Sequence, residues 1–344
     1  EVNTMSKKYD LLTLGELLLR LSPQANERMS RTKIFEQNIG GAEFNVAAGA
    51  AQLGLKTGLV GKIPAHAIGQ LARNEVHFQN VSDEYLSHDN SADARLGVYY
   101  YETGAAPRKP GIVYDRKHSS MTTLSIDDFP EEMYSSTRCF HTCGITLALN
   151  EQVRKTAIEM MKRFKKAGAL ISFDVNFRGN LWSGAEAKAC IEEILPIVDI
   201  FFCSDSTARL TFLKEGTPEE VMKSFADEYP ISVVAATQRI VHSPKRHSFG
   251  SVIYDAKKQT FVEEEMYKDI EVVDRIGSGD AYISGALYGL LTSENDTRKA
   301  LQYGNAVSAL KNTVPGDLPS MTLCEVEEMI KTHQEGDDGL EMKR

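Results

Sequence analysis

The chain has 344 residues, 42% of them hydrophobic and 25% charged, and a formal net charge of -9. This composition suits a globular enzyme with a large core and excludes a disordered chain. The negative balance argues against a general nucleic-acid or anionic-membrane binder, whose phosphate contacts need clustered Lys and Arg.

No stretch reaches the roughly 18 apolar residues of a membrane span, and no basic segment with an apolar core opens the chain, so a cytoplasmic protein is expected. EVNT, before Met5, reads as extraneous to the fold. QEGDDGLEMKR reads as a polar tail, with the folded domain expected over 5–335 and the tail over 336–344.

In chain order, YDLLTLGELLLRL has strand character, GAEFNVAAGAAQLG is a helix of small residues, and KTGLVGKI is a strand. LGVYYYET (96–103) and GIVYDR (111–116) are two strand patterns joined by GAAPRKP with no helix between them. They predict an antiparallel excursion, which must cover a cleft or a second subunit because a two-stranded ribbon buries too little alone. RCFHTCGI, EQVRKTAIEMMKRFKKAG and ALISFDVN return to strand, helix, strand, and the rhythm continues through AKACIEEILPIV, DIFFCSD, STARLTFLKEG, PEEVMKSFADEY and ISVVAAT. Strand and helix in turn mean a parallel sheet covered on both faces. SPKRHS, near 243, reads as a solvated basic turn.

Cys139, Cys143, Cys190, Cys203 and Cys324 contain no CxxC pair and have no histidine at zinc spacing, so they read as buried reduced thiols. His141, inside CFHTCGI, reads as a core or pocket-edge histidine.

Residues 274–280, DRIGSGD, run directly into the apolar stretch AYISGALYGLL. Backbone amides at a helix start have no partner within the helix and carry partial positive charge, and glycines there let a phosphate approach closely. A carboxylate in that first turn can accept a proton from a hydroxyl while the amides hold charge on a transferring phosphoryl group. A Gly/Ser turn followed by an acidic residue is equally how ordinary helices begin. The P-loop pattern fails because Ile63 follows Lys62, and the dinucleotide fingerprint fails because Tyr282 takes the third glycine position. Upstream, NIGGAEFNVAAGAAQLG (38–54) opens a helix on Gly40 and Gly41, and alone it reads as a packing helix.

Together the two motifs resemble the signatures of the ribokinase-like (PfkB) family of sugar kinases, GG-x-x-x-N and D-x-x-G-x-G-D, and the resemblance spans Tyr9 to about His333. It implies an α/β three-layer sandwich with a mostly parallel central sheet and a small antiparallel β lid drawn mainly from about 18–42 and 94–118. It also implies ATP-dependent phosphorylation of a hydroxymethyl group, with Asp280 as catalytic base and Gly277, Ser278 and Gly279 as the anion hole.

GELLLRLSP (15–23), GVYYYETGA, VYDRKHSS (113–120), FHTCGIT, SFDVNFRGNLW (172–182), VVDRIGSGD and NTVPGD (312–317) are similar to segments of the family's 2-keto-3-deoxygluconate kinases. The implied reaction is conversion of that sugar acid to its 6-phosphate. A kinase for fructose, keto-deoxygalactonate or a nucleoside, and a sugar sensor without turnover, are the alternatives.

A sugar acid needs a cation for its carboxylate. Arg116, leaving the lid strand, and Arg178, after the strand end DVNFR, can each supply a bidentate partner, although without the resemblance either reads better as a surface ion pair. The resemblance places Gly41 and Asn45 at sugar hydroxyls, Tyr99 and Tyr114 over the ligand, Asp317 in the pocket lining, and Ser204, Thr237 and Arg239 at the nucleotide phosphates. It brings Mg2+ in with ATP, with no dedicated protein metal site, admits a monovalent cation, and favours a homodimer through an exposed lid face. Two departures stand out: Thr207 replaces the acidic residue of an Asn-x-x-Glu element, and TQRIVHSPKRHSFG lacks the usual T-x-G-x-x-G turn.

Overall fold

The computed structural model describes residues 7–336. EVNT and the last eight residues of the expected tail, 337–344, lie outside the described residues.

The first part of the chain contains β1 (Tyr9–Leu14), β2 (Leu18–Pro23), β3 (Phe35–Gly40), α1 (Ala42–Gln52), β4 (Thr57–Pro64), α2 (Ala67–Phe78), β5 (Leu86–Asp89), β6 (Gly97–Glu102) and β7 (Gly111–Asp115). The middle alternates β8 (Thr137–Cys143), α3 (Gly144–Ala148), α4 (Glu151–Lys166), β9 (Leu170–Asp174), α5 (Gly184–Ile194), β10 (Ile200–Phe202), α6 (Asp205–Phe212) and α7 (Pro218–Glu228). Four strands then follow one another, β11 (Val233–Ser243), β12 (Arg246–Asp255), β13 (Thr260–Glu263) and β14 (Tyr267–Glu271), before α8 (Ser278–Thr292), α9 (Thr297–Asn312) and α10 (Leu323–Glu335).

Ten strands form the main sheet in the order β13-β12-β11-β10-β9-β8-β1-β4-β5, with β14 added against β12. From β5 to β11 every pairing is parallel; the edge made by β12, β13 and β14 is antiparallel. Successive residues of a strand point to opposite faces, and this sheet is covered on both. Leu12, Phe140 and Phe201 pack toward α4, α5 and α7, whereas their chain neighbours Leu11, Cys139 and Ile200 pack toward α1, α8 and α9. The result is the three-layer sandwich that the alternation predicted.

β3-β2-β6-β7 make a separate four-stranded sheet. β6 and β7 pair antiparallel, as their two strand patterns predicted, and β2 with β3 likewise; only the central pair, β2 with β6, is parallel. All of β7 is solvent-exposed, and Ile112, Val113 and Tyr114 present a continuous apolar edge.

Two other expectations are corrected. The stretch read as a solvated basic turn is a hairpin in which β11 runs on to Ser243 and only Pro244 and Lys245 separate it from β12. Four of the five cysteines are buried, but Cys324, at the start of α10, is exposed. His141 is a core residue, 1% exposed, with Nδ1 bonded to Ser172 Oγ at 2.8 Å, and burial pushes its pKa down to about 3.

Candidate active site

Neighbouring strands β1 and β8 send their chains off to opposite sides of the sheet, and it is at the carboxyl ends of such strands that α/β proteins bind ligands. The chain places there the end of β9, the start of α1 and the start of α8. Asp174 closes β9, Glu43 lies in the first turn of α1, and Asp280 lies in the first turn of α8.

Gly277 caps α8 with φ +79°, a left-handed backbone that only glycine adopts without strain. A Cβ there would also overlap the Asp317 carbonyl. We therefore expect Gly277→Ala to cost roughly 1–3 kcal/mol in backbone strain alone and to abolish turnover, read by chemical unfolding and by steady-state assay. A stable, fully active variant would refute this reading of the turn. Ser278 is buried and faces inward, its hydroxyl accepting from Asn312 Nδ2 at 2.9 Å and sharing a bond with Ser308 Oγ at 3.0 Å. Its side chain thus braces the turn and does not face the cleft. A Cβ on Gly279 would meet open space.

Asp280 is held by Asn45, whose Nδ2 donates to Oδ2 at 2.7 Å. The sequence reading placed Asn45 at sugar hydroxyls; here its amide orients the carboxylate and its Oδ1 stays buried without a partner among the described residues. Burial raises the Asp280 pKa to about 6, against the pull of Asn45 and Arg178. Asp174 is raised to about 7, by burial first and by Asp280 second. Glu43 is 2% exposed and accepts from Thr146 Oγ1 at 2.6 Å and from the Cys143 amide at 3.1 Å; burial raises its pKa too. Sequence reasoning missed both Asp174 and Glu43. DVNFR and GGAEFN each contain the acid, and only the crossing of β9, α1 and α8 makes them neighbours of Asp280.

A cleft of about 200 Å³ beside these groups is lined by Asp174, Arg178, Ser204, Thr207, Thr237 and Gly279. Arg178 is exposed, its guanidinium bonded to the Phe177 carbonyl at 3.1 Å; among the described residues it makes no ion pair, although its charge acts on Asp174 and Asp280. Ser204 caps α6, accepting from the Thr207 amide at 3.2 Å and donating to the Thr207 hydroxyl at 2.9 Å, so Thr207 is engaged with Ser204 where an acidic side chain was expected. Thr237 and Arg239 belong to β11 itself, not to a loop after it.

On the other side of α8 lies a buried charge network that the sequence did not reveal. Arg20, on β2, donates Nη1 to Asp317 Oδ1 and Nη2 to Asp274 Oδ2, each at 2.7 Å, and Nε to Ser22 Oγ at 2.9 Å. Tyr99, on β6, donates its hydroxyl to Asp317 Oδ2, and Lys311, fully buried at the end of α9, donates to the Asp274 carbonyl at 3.0 Å. Two cations and two carboxylates thus offset one another where water cannot. Burial opposes the Arg20 charge, but Asp317 and Asp274 outweigh it and raise its pKa. Burial pushes Lys311 down to about 8. Asp274 opens DRIGSGD, so this network ties both central strands of the small sheet to the turn that opens α8.

The predicted sugar residues are only partly assembled around one space. Gly41 opens α1 at φ +149°, where a Cβ would strike the Glu16 carbonyl. Tyr99 and Asp317 are buried at 5% and 3% exposure and bonded to each other. Tyr114 faces Tyr99 across the strand pair, ring centroids 5.9 Å apart, but is 39% exposed. Arg116 is engaged by Glu16, which also accepts from Ser119 Oγ. Of the two arginines considered for a carboxylate, Arg116 is held in an ion pair with Glu16, whereas Arg178 makes no ion pair among the described residues.

A family model described as pfkB family carbohydrate kinase matches residues 8–323. The chain is 33% identical over 332 residues to a 2-dehydro-3-deoxygalactonokinase of Haloferax volcanii, covering 96% of this chain and 99% of that protein. It is 27% identical to the 2-dehydro-3-deoxygluconokinase of Bacillus subtilis over 91% of this chain and 93% of the relative. Among solved structures, the 2-dehydro-3-deoxygluconokinase of Thermotoga maritima superposes with a TM-score of 0.89 at 28% identity, over 94% of this chain and 98% of that one.

Proposed function

Since the chain belongs to the pfkB family of carbohydrate kinases, phosphotransferases with an alcohol acceptor, we propose that it transfers phosphate from MgATP to the 6-hydroxyl of 2-keto-3-deoxygluconate. The observation that carries the proposal is Asp280, held by Asn45 in the first turn of α8 beside the open Gly279.

MgATP supplies the phosphoryl group, its metal arriving with several waters. Asp280 accepts the hydroxyl proton, and the amides after Gly277 hold the charge that develops on the transferring group. Asn45 keeps the carboxylate aimed at the acceptor. Ser204 and Thr237, in the cleft beside Gly279, line the approach for the nucleotide phosphates. Tyr99 and Tyr114 close the sugar end from the small sheet, whose exposed apolar edge at Ile112 and Val113 suits a second copy of the chain.

The substrate carboxylate is assigned to Arg178. Arg178→Ala should raise KM for the sugar acid about 10- to 100-fold, the worth of a charge-assisted hydrogen bond, while leaving KM for a neutral alcohol such as fructose unchanged. An unchanged KM for the acid would sink this assignment. A second reading has one specific observation behind it: the Haloferax relative is named for the galactonate epimer. Running both epimers in the same ADP-release assay decides between them by kcat/KM, and turnover of neither would overturn the proposal.

A further inference from the structure

A second cleft, of about 460 Å³, opens where the loop between β6 and β7 meets the turn of the β11–β12 hairpin. Its lining includes Arg108 and Lys109 from the loop, Lys245 and His247 from the hairpin, and Asp274 and Arg275 from the start of DRIGSGD. Arg108 is matched by Glu102, and Asp274 by Arg20. Among the described residues Lys109, Lys245 and Arg275 have no carboxylate partner. Arg239 lies close by on β11, and burial and then the Arg275 charge lower its pKa. Facing cations without a counterion repel one another, a cost a fold carries where an anion is to be bound.

An independent observation points the same way. His247 is 2% exposed, lines this cleft, and its Nδ1 has no hydrogen-bond partner among the described residues. A buried ring nitrogen without a partner costs free energy unless something polar reaches it. Burial, Arg239, Arg275 and His242 disfavour the charged ring, against a pull from the Ser243 carbonyl; a neutral ring that donates its one N–H to that carbonyl leaves Nδ1 as an acceptor, suited to a hydroxyl of a ligand.

We propose that this cleft binds a phosphate-bearing small molecule, its phosphate gripped by Lys109 from the loop, Lys245 from the hairpin and Arg275, with His247 Nδ1 accepting from a hydroxyl of its body. Its volume falls in the range that holds a phosphate with a sugar-sized body, about 300–1,000 Å³. Thr237, Arg239 and Val241 share one face of β11, by the two-residue repeat of a strand, and lead from the first cleft to this one. The phosphate therefore comes from one of two sources, the nucleotide itself or a free phosphorylated metabolite. In either case the phosphate bridges the β6–β7 loop and the hairpin, which line the cleft together.

The nucleotide source rests on the kinase reading and the free-metabolite source does not, and the test reads binding, not turnover. Glucose 6-phosphate and MgADP are titrated calorimetrically, at low salt, into the full chain and into the double variant Lys109→Glu/Lys245→Glu. Both substituted positions are exposed, and an unchanged ligand-free melting temperature shows that the fold is kept. The proposal expects glucose 6-phosphate or MgADP to bind the variant at least tenfold more weakly. Glucose 6-phosphate binding that is weakened in the variant and, in wild type, persists under saturating MgADP supports the free metabolite. Competition between the two, with MgADP weakened, supports the nucleotide as source. Affinities of both ligands unchanged in the double variant and in His247→Phe, or no binding of either to wild type, would overturn the site.

Discussion

Asp280→Asn should lower kcat by roughly 10²- to 10⁴-fold, the contribution of a positioned general base, with the sugar-acid KM within a few-fold of wild type. The asparagine keeps the size of the side chain and an oxygen for Asn45, so the loss isolates proton acceptance. The pH dependence follows from the same group. A base works only when deprotonated, and burial has moved this carboxylate from 3.8 up to about 6. Wild-type kcat/KM should therefore climb through about pH 6, running at roughly a tenth of its plateau one unit below. Asp174, raised to about 7 beside it, broadens that limb because the two carboxyls titrate as a pair. Stability runs in the opposite sense. Between 3.8 and about 6 the folded chain binds more protons at Asp280 than the unfolded chain, so this group's contribution falls as pH rises through that window. At pH 7.5 the Asn variant should accordingly melt no lower than wild type. An active variant, or an acid limb near 4, would remove Asp280 from the role of base.

Arg20→Met should destabilise the fold by about 3–5 kcal/mol, the cost of leaving buried carboxylates without their partner. Asp274 and Asp317 would then face each other with only Lys311 nearby, and the β2 contact to the DRIGSGD turn would be lost. Arg20→Lys should recover only part of this, because one ammonium cannot reproduce a fork that spans two carboxylates and Ser22. Urea unfolding at pH 7.5 reads the effect. A loss below about 1 kcal/mol would mean that the network is energetically idle.

Much of the architecture was legible because its signals are local. Alternating strand and helix patterns fix a parallel sheet, and DRIGSGD announces a helix with an open amino terminus whatever follows. The misses share a different cause. LLRLSP reads as a strand with Arg20 at a polar position, and nothing in the sequence says that a second sheet turns that position toward Asp274 and Asp317. The β2–β6 parallel pairing joins segments far apart in the chain, so no turn residue marks it. The long hairpin escaped because its turn is Pro-Lys, without the glycine or asparagine that flags a tight connection, and because its exposed basic residues resemble a loop. Glu43 and Asp174 look like ordinary acids until α1 and β9 bury them beside Asp280. Arg116 was legible as a cation near the lid, but Glu16, the partner that engages it, is a hundred residues earlier.

The central claim is that Asp280 and its turn pass a phosphoryl group to the terminal hydroxyl of a keto-deoxy sugar acid. The most direct test is phosphorus NMR of the full chain incubated with MgATP and 2-keto-3-deoxygluconate, alongside Asp280→Asn. The account predicts ADP and a new phosphomonoester coupled to the two C6 protons, both absent with the variant. Inorganic phosphate as the only product, or a monoester formed equally by the variant, would contradict it.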